Sequence, residues 1–143
     1  MADTGFKSPS ASTTGGWTTL SNCYSSNGVY ATTTSATFIN GTVSTFAFGV
    51  PTNAIIDGIE VTAEFSNQFA GATSTIQLSL SDNGGSSYTA TKSDTVVGTT
   101  DTTRTYGGAA DLWGEASFSE YGTQDGNFYV KVEGKSNTFG IKC

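Results

Sequence analysis

The sequence predicts an all-β protein: an antiparallel β-sandwich, jelly-roll-like, folded as a single domain. Three observations predict it. Side chains alternate with period two in several short runs, turn residues separate those runs, and no window places apolar residues at i, i+3, i+4 and i+7 over three helical turns. The 143 residues are close to the commonest domain size and long enough to bury a core without a metal or disulfide staple. Only 36% of the chain is apolar, but 12% is aromatic, which concentrates burial into a few large side chains and argues against disorder.

Residues 1–12 are expected to form a mobile N-terminal arm and residues 13–143 the sandwich. The first 36 residues are rich in serine and threonine, yet Phe6, Trp17, Leu20, Tyr24, Val29 and Tyr30 recur through them. That is too many large apolar groups for a free linker, so this stretch should lie across the sandwich. Phe46-Ala47-Phe48-Gly49-Val50 puts its large residues on one face and reads as a strand closed by Pro51, which has no amide hydrogen for a ladder. In Ile59 to Phe65 the apolar residues point one way and Glu60, Thr62 and Glu64 the other. Ile76 to Leu80 and Phe128 to Val132 repeat the pattern of a half-buried antiparallel strand. Asp82-Asn83-Gly84-Gly85 supplies residues tolerant of positive φ and reads as a hairpin. Gly107-Gly108, Gly114, Gly122 and Asp125-Gly126-Asn127 break up the last third, with one helical turn expected around Ser117 to Tyr121. Trp17 and Trp113 should cap the core of a chain this low in leucine.

The chemistry that the residues allow is narrow. The chain has no histidine, the commonest general acid/base at neutral pH and the commonest metal ligand. Asp57, Glu60, Glu64, Glu115 and Glu120 are the carboxylates to weigh for glycoside cleavage, but Glu60 and Glu64 share the polar side of a predicted strand, where solvated charges belong. Asp82-Asn83-Gly84-Gly85 lacks the spaced oxygens and terminal glutamate of a calcium loop. No catalytic residue, cofactor site or metal site is expected. The formal charge is −6, and the six cations, Lys7, Lys92, Arg104, Lys131, Lys135 and Lys142, form no run, which argues against nucleic acid or an anionic membrane as partner.

MADTGFKSPS shows no signal-peptide pattern, no apolar stretch approaches the roughly 20 residues of a membrane span, and synthesis in a cytoplasm is expected. Without such a signal the sequon Asn40-Gly41-Thr42 carries no weight. Cytoplasmic synthesis disfavours a bridge between Cys23 and Cys143, so two free thiols are the expectation, with pairing as the alternative. Among the exposed groups, Phe6, Tyr88, Tyr106 and Tyr121 are the candidate partner contacts.

Three phrases, in order, carry a resemblance. GGWTTLSNCYSSNGVYAT (Gly15 to Thr32) is similar to the Trp-Thr…Asn-Ala-Tyr…Asp-Gly…Tyr-Ala opening of a β-sandwich family associated with virions of tailed phages. FAFGVPTNAIIDGIEVTAEF (Phe46 to Phe65) resembles that family's strand, Ile-Pro and Ala-x-Ile-x-Gly-Ile-x-Val sequence. SLSDNGGSSYTATK (Ser79 to Lys92) with TYGGAADLWG (Thr105 to Gly114) resembles its Leu-Ser-x-Asp-Gly-Gly-x-Ser-Tyr-Thr hairpin and Gly-Gly-x-x-Asp-x-Trp-Gly segment. The likeness covers about Gly15 to Val132; Cys23 departs from the usual alanine, and the ending Gly140 to Cys143 is shorter than the family's terminal strand.

The resemblance implies a non-enzymatic virion protein, made in the host cytoplasm and carried on the particle. The expected role is a head decoration or cement protein that binds the major capsid protein from outside. Copies should meet as a closed homo-oligomer, a trimer by preference, through loops, the N-terminal arm and exposed strand edges. The alternative is a receptor- or glycan-binding module of a tail or fibre, with Tyr88, Tyr106 and Tyr121 stacking on sugars.

Overall fold

Burial follows the alternation of the sequence. In the computed structural model, which describes residues 3–25, 27–120, 123, 126–136 and 140–143, Ile76, Leu78 and Leu80 of β5 (Thr73–Ser81) are buried with Val130 and Val132 of β8 (Tyr129–Ser136). Leu78 lies opposite Val132 and Leu80 opposite Val130, and opposed residues share a face of the sheet. That face is the inner wall of the sandwich.

The remaining strands are β1 (Ala11–Thr13), β2 (Thr32–Thr33), β3 (Ile39–Ser44), β4 (Glu60–Asn67), β6 (Lys92–Val97), β7 (Thr102–Gly107) and β9 (Ile141–Lys142), with a 3-10 helix at Leu20–Tyr24. One sheet runs β1-β3-β8-β5-β6 and the other β2-β9-β4-β7, with every pairing antiparallel. With β1 set aside, the orders 3-8-5-6 and 2-9-4-7 are those of two interlocked Greek keys, the strand arrangement of a jelly roll. The fold expected from the sequence is the fold observed.

Two tryptophans hold this core, each fitted against a glycine. Trp17 is buried, donates its indole N–H to the Val132 carbonyl at 3.2 Å and lies over Gly134, where a Cβ would come within 2.7 Å of the ring. Leu20 is fully buried and Ala31 with it, so the early Ser/Thr-rich stretch does lie across the sandwich. Trp113 donates its indole N–H to the Ile59 carbonyl at 2.8 Å, and a Cβ on Gly107 would stand 2.6 Å from that indole nitrogen. Ile59 in turn donates to the Asp111 carbonyl at 3.0 Å, and the Asp111 carboxylate takes the Trp113 amide at 2.7 Å and the Lys92 ammonium at 2.7 Å. The second and third familiar phrases therefore meet in space: the Asp-x-Trp-Gly segment is a clamp on the start of β4.

Four expectations need correction. Phe46 to Val50 is not a strand, because Thr45, Ala47 and Gly49 all take positive φ. That alternation still turns Phe46 and Phe48 to one side, stacked at 5.3 Å and edge-on to Phe128, but no ladder forms. The arm is shorter than residues 1–12, since Ala11 and Ser12 belong to β1 and the Ser10 amide already bonds to the carbonyls of Ser44 and Thr45. The helical turn expected around Ser117 to Tyr121 lies slightly later, where the Thr123 amide bonds back to the Ser119 carbonyl at 3.1 Å, the i→i−4 bond of one turn, and to that of Glu120 at 3.2 Å. The fourth concerns the thiols: Cys23 and Cys143 are disulfide-bonded, with Cα atoms 5.6 Å apart. Strand order brings them together. Cys143 and Ala31 exchange two backbone hydrogen bonds of 3.0 Å, which sets Cys143 beside the 3-10 helix that carries Cys23.

The bridge closes a loop with a sequence separation of 120. Its reduction, or Cys23→Ser, is expected to lower unfolding free energy by about 2–4 kcal/mol, read as a drop in thermal midpoint with and without reductant. Trp113→Ala should cost about 3–5 kcal/mol by denaturant titration, since it removes both a core side chain and the clamp on β4.

Candidate partner-binding surface

β4 is paired unevenly along its two edges. On one side β7 follows it from Glu60 to Phe65; on the other β9 reaches only Ser66 and Asn67. Backbone direction alternates along a strand. Ile59 accepts from Gly108 and Asn67 donates to Gly98 on the β7 side, whereas Gln68 donates to Gly140 on the β9 side. Glu60 and Thr62 therefore turn their backbone N–H and C=O groups to the β9 side, where they meet no ladder partner among the described residues.

A groove of about 960 Å³ opens beside this edge and runs into the sandwich. Val61, Ala63 and Phe65 line it from β4, and Val43, Val130 and Val132 from the facing sheet. The unladdered segment after β3 contributes Phe46, Phe48 and Ile56, and the arm contributes Asp3 to Pro9. Its charged lining residues are Asp3, Asp57, Glu60 and Glu64 against Lys7. Three large apolar residues among those that line it are exposed to solvent: Phe6 at 73%, Val29 at 53% and Ile55 at 86%.

The opposite flank of the sandwich is closed. Arg104 of β7 ion-pairs with Asp94 of β6 at 2.5 Å and donates to the Thr95 carbonyl at 3.3 Å, so the two edge strands are tied to each other. The remaining edges, β1 and β2, are three and two residues long. Short edges and cross-tied edges resist pairing with another chain.

Of the contacts expected from the sequence, Phe6 is at this groove. Tyr88 lies elsewhere, half-buried in the β5–β6 hairpin with the Lys131 ammonium 4.6 Å from its ring centre; burial pushes its phenol up from its ordinary pKa. Tyr106 is a correction. It sits opposite Val61 on the inner face, 7% exposed, and so cannot offer its ring to a partner. Its hydroxyl has no hydrogen-bond partner, and burial, reinforced by Asp94 and opposed by Arg104, pushes its pKa up to about 12. Tyr121 lies outside the described residues. Sequence reasoning missed Val29 and Ile55. One signal was present: Ile55-Ile56 are adjacent in a loop, and only one of two neighbours can turn inward.

Other polar groups brace the chain. Asp101 accepts from Tyr30 at 2.6 Å and from Ser66 at 2.5 Å, which raises the Tyr30 pKa and ties the early stretch to β4. In the hairpin, Ser81 Oγ accepts from the Gly85 amide and Asn83 Oδ1 from the Ser87 amide, both at 3.0 Å, which closes the turn on itself. Among the described residues no three Asp, Glu, Cys or His side chains group as metal ligands. No protein-family model matches the chain, and no curated protein matches it.

Tyr106→Phe removes a buried hydroxyl without a partner and should raise stability by about 1 kcal/mol by denaturant unfolding. Because the folded phenol holds its proton more tightly than the unfolded one, its contribution is complete below about pH 10 and is lost as pH climbs towards 12. Ultraviolet titration of the phenols should show one late group near 12, absent in Tyr106→Phe.

Proposed function

We propose that this chain is a non-enzymatic structural protein of a tailed-phage virion, a decoration or cement protein that assembles as a homo-oligomer and binds the major capsid protein on the outer head surface. The observation that carries the reading is the gathering of Phe6, Val29 and Ile55 around an apolar groove. Exposed apolar groups collected in one place mark a contact surface for protein. Jelly rolls recur in viral capsid proteins and in lectins alike, so the fold alone does not choose between them. The three phrases that resemble the virion family support a virion role, and the absence of histidine and of a basic patch supports adhesion to a shell. The mechanism is mass action: a protein that binds only the assembled shell stabilises that shell.

The test is binding of the purified chain to heads stripped of it. Saturable co-sedimentation and a higher melting temperature of the decorated shell are expected, and Ile55→Asp should weaken binding about tenfold or more, the cost of losing one buried aliphatic contact. No binding to heads, together with saturable binding to host envelope glycans that Tyr88→Ala abolishes, would instead establish the receptor-binding tail module.

A further inference from the structure

We infer that Asn27-Gly28 is a site of spontaneous covalent modification, where the folded chain converts the Asn27 side-chain amide into a carboxylate through a cyclic imide. The fold holds back the two other Asn-Gly pairs, Asn40-Gly41 and Asn83-Gly84. The site goes beyond the function proposed above and does not depend on it.

Water and hydroxide are the only co-reactants. The Gly28 amide nitrogen, deprotonated by hydroxide, attacks Asn27 Cγ; the new C–N bond closes a five-membered ring. The Cγ–Nδ2 bond then breaks, and ammonia leaves with a proton from solvent. Water opens the imide at either carbonyl, leaving aspartate, or isoaspartate with the main chain running through the side-chain carbon. The net change is amide and water to carboxylate and ammonium, with nothing oxidised or reduced. Three conditions favour it: an amide not engaged as a donor, a peptide free to turn towards Cγ, and a donor for the negative charge that develops on Oδ1. Glycine in the second position eases the turn because it has no Cβ.

Asn27 meets all three. Asn27, Gly28 and Val29 are exposed. The Gly28 amide makes no hydrogen bond among the described residues, and a Cβ built at Gly28 would meet nothing within 4 Å. The Val29 amide donates to Asn27 Oδ1 at 3.0 Å, so a donor already stands on the oxygen that takes up charge. The loop is strung between fixed points, Cys23 in the disulfide and Tyr30, whose carbonyl accepts from Asn22 at 2.9 Å. Asn40 fails on the turn. Its carbonyl accepts the Gly16 amide at 3.0 Å, Gly41 is paired with Val132, and a Cβ on Gly41 would stand 2.6 Å from Leu20, so that peptide has no room to rotate. Asn83 fails on the amide. Gly84 donates to the Asn127 carbonyl at 2.9 Å, and the Asn83 amide group is held by Ser81, Ser87 and the Ser87 amide at 2.7 to 3.0 Å. Conversion at Asn27 adds a negative charge beside Val29, among groove residues where Asp3, Asp57, Glu60 and Glu64 already outnumber Lys7.

Incubation of the purified, disulfide-bonded chain at mildly alkaline pH, followed by peptide mass mapping, reads each asparagine separately. Asn27 should convert about tenfold or more faster than Asn40 and Asn83, and its rate should rise with pH because loss of the amide proton starts the reaction. Anion exchange should resolve a more acidic species that grows at the same rate, and an isoaspartyl methyltransferase should label it. In denaturant with the disulfide reduced, the three pairs should converge to within a few-fold, since all then share the same local chemistry. Val29→Pro removes the donor and should slow Asn27 about tenfold, with Asn40, Asn83 and the circular dichroism spectrum unchanged. Native Asn40 or Asn83 converting as fast as Asn27 overturns the inference, and so does an order of rates that denaturation leaves as it was. A Val29→Pro chain in which Asn27 converts at the original rate overturns the part given to the Val29 amide.

Discussion

A sandwich this poor in aliphatic residues is held by a few large rings, each fitted to a place where the facing backbone carries no side chain. Trp17 over Gly134 spans from the early stretch onto β8, and Trp113 against Gly107 fixes the start of β4. Both indoles also spend their one polar group on a backbone carbonyl, of Val132 and of Ile59, so neither ring is buried at the expense of an unmade hydrogen bond. The position of β4 follows from the second contact. With Ile59 bonded through both its amide and its carbonyl to the Gly107–Gly114 segment, the strand that follows has little freedom of register.

Much of the fold was legible because burial in a two-layer β-structure has the same period as the side chains. Ile59 to Phe65 and Phe128 to Val132 alternate between more and less buried residues, Ile76 to Leu80 does so as far as the buried Ser79, and each contributes to an observed strand. Phe46 to Val50 has the same periodicity and no strand, because left-handed φ at every second residue also turns alternate side chains to one side. Period two reports where side chains point and not whether the backbone pairs. Tyr106 was misjudged for the converse reason: its flanking residues are polar, and only its opposition to Val61 shows that it faces inward. The disulfide was misjudged because an argument from cellular compartment says nothing about distance, which here depends on β9 threading between β2 and β4.

The candidate site lies where the regular pattern lapses. The chain after β3 leaves the sheet instead of continuing as a strand, and β9 meets β4 for only two residues. Each irregularity by itself would be a local defect. Together they open the interior beside β4 and strand Ile55 in solvent, all on one flank. Sequence reasoning is expected to fail at functional places, since a residue kept for a partner need not satisfy its own fold. Phe6, an aromatic ring in a polar arm, is visible in the sequence, whereas the groove it lines is assembled from distant segments and belongs to no short stretch of sequence.

The interior position of β9 bears on biosynthesis. The strand that joins β2 to β4 is specified by residues 141–142, more than seventy residues after β4 itself. While the chain is still emerging from the ribosome, the sheet it completes has a vacancy in its middle, and among the described residues β2 is held beside it only through the bridge from Thr32 to Thr18. The opposing sheet meets no such delay after β8. Half of the sandwich can thus pair during translation while the other half waits for residues 141–143, and the cysteine that seals the structure arrives with the same three residues. Chains that stall or are clipped before that point lack the strand and the bridge together.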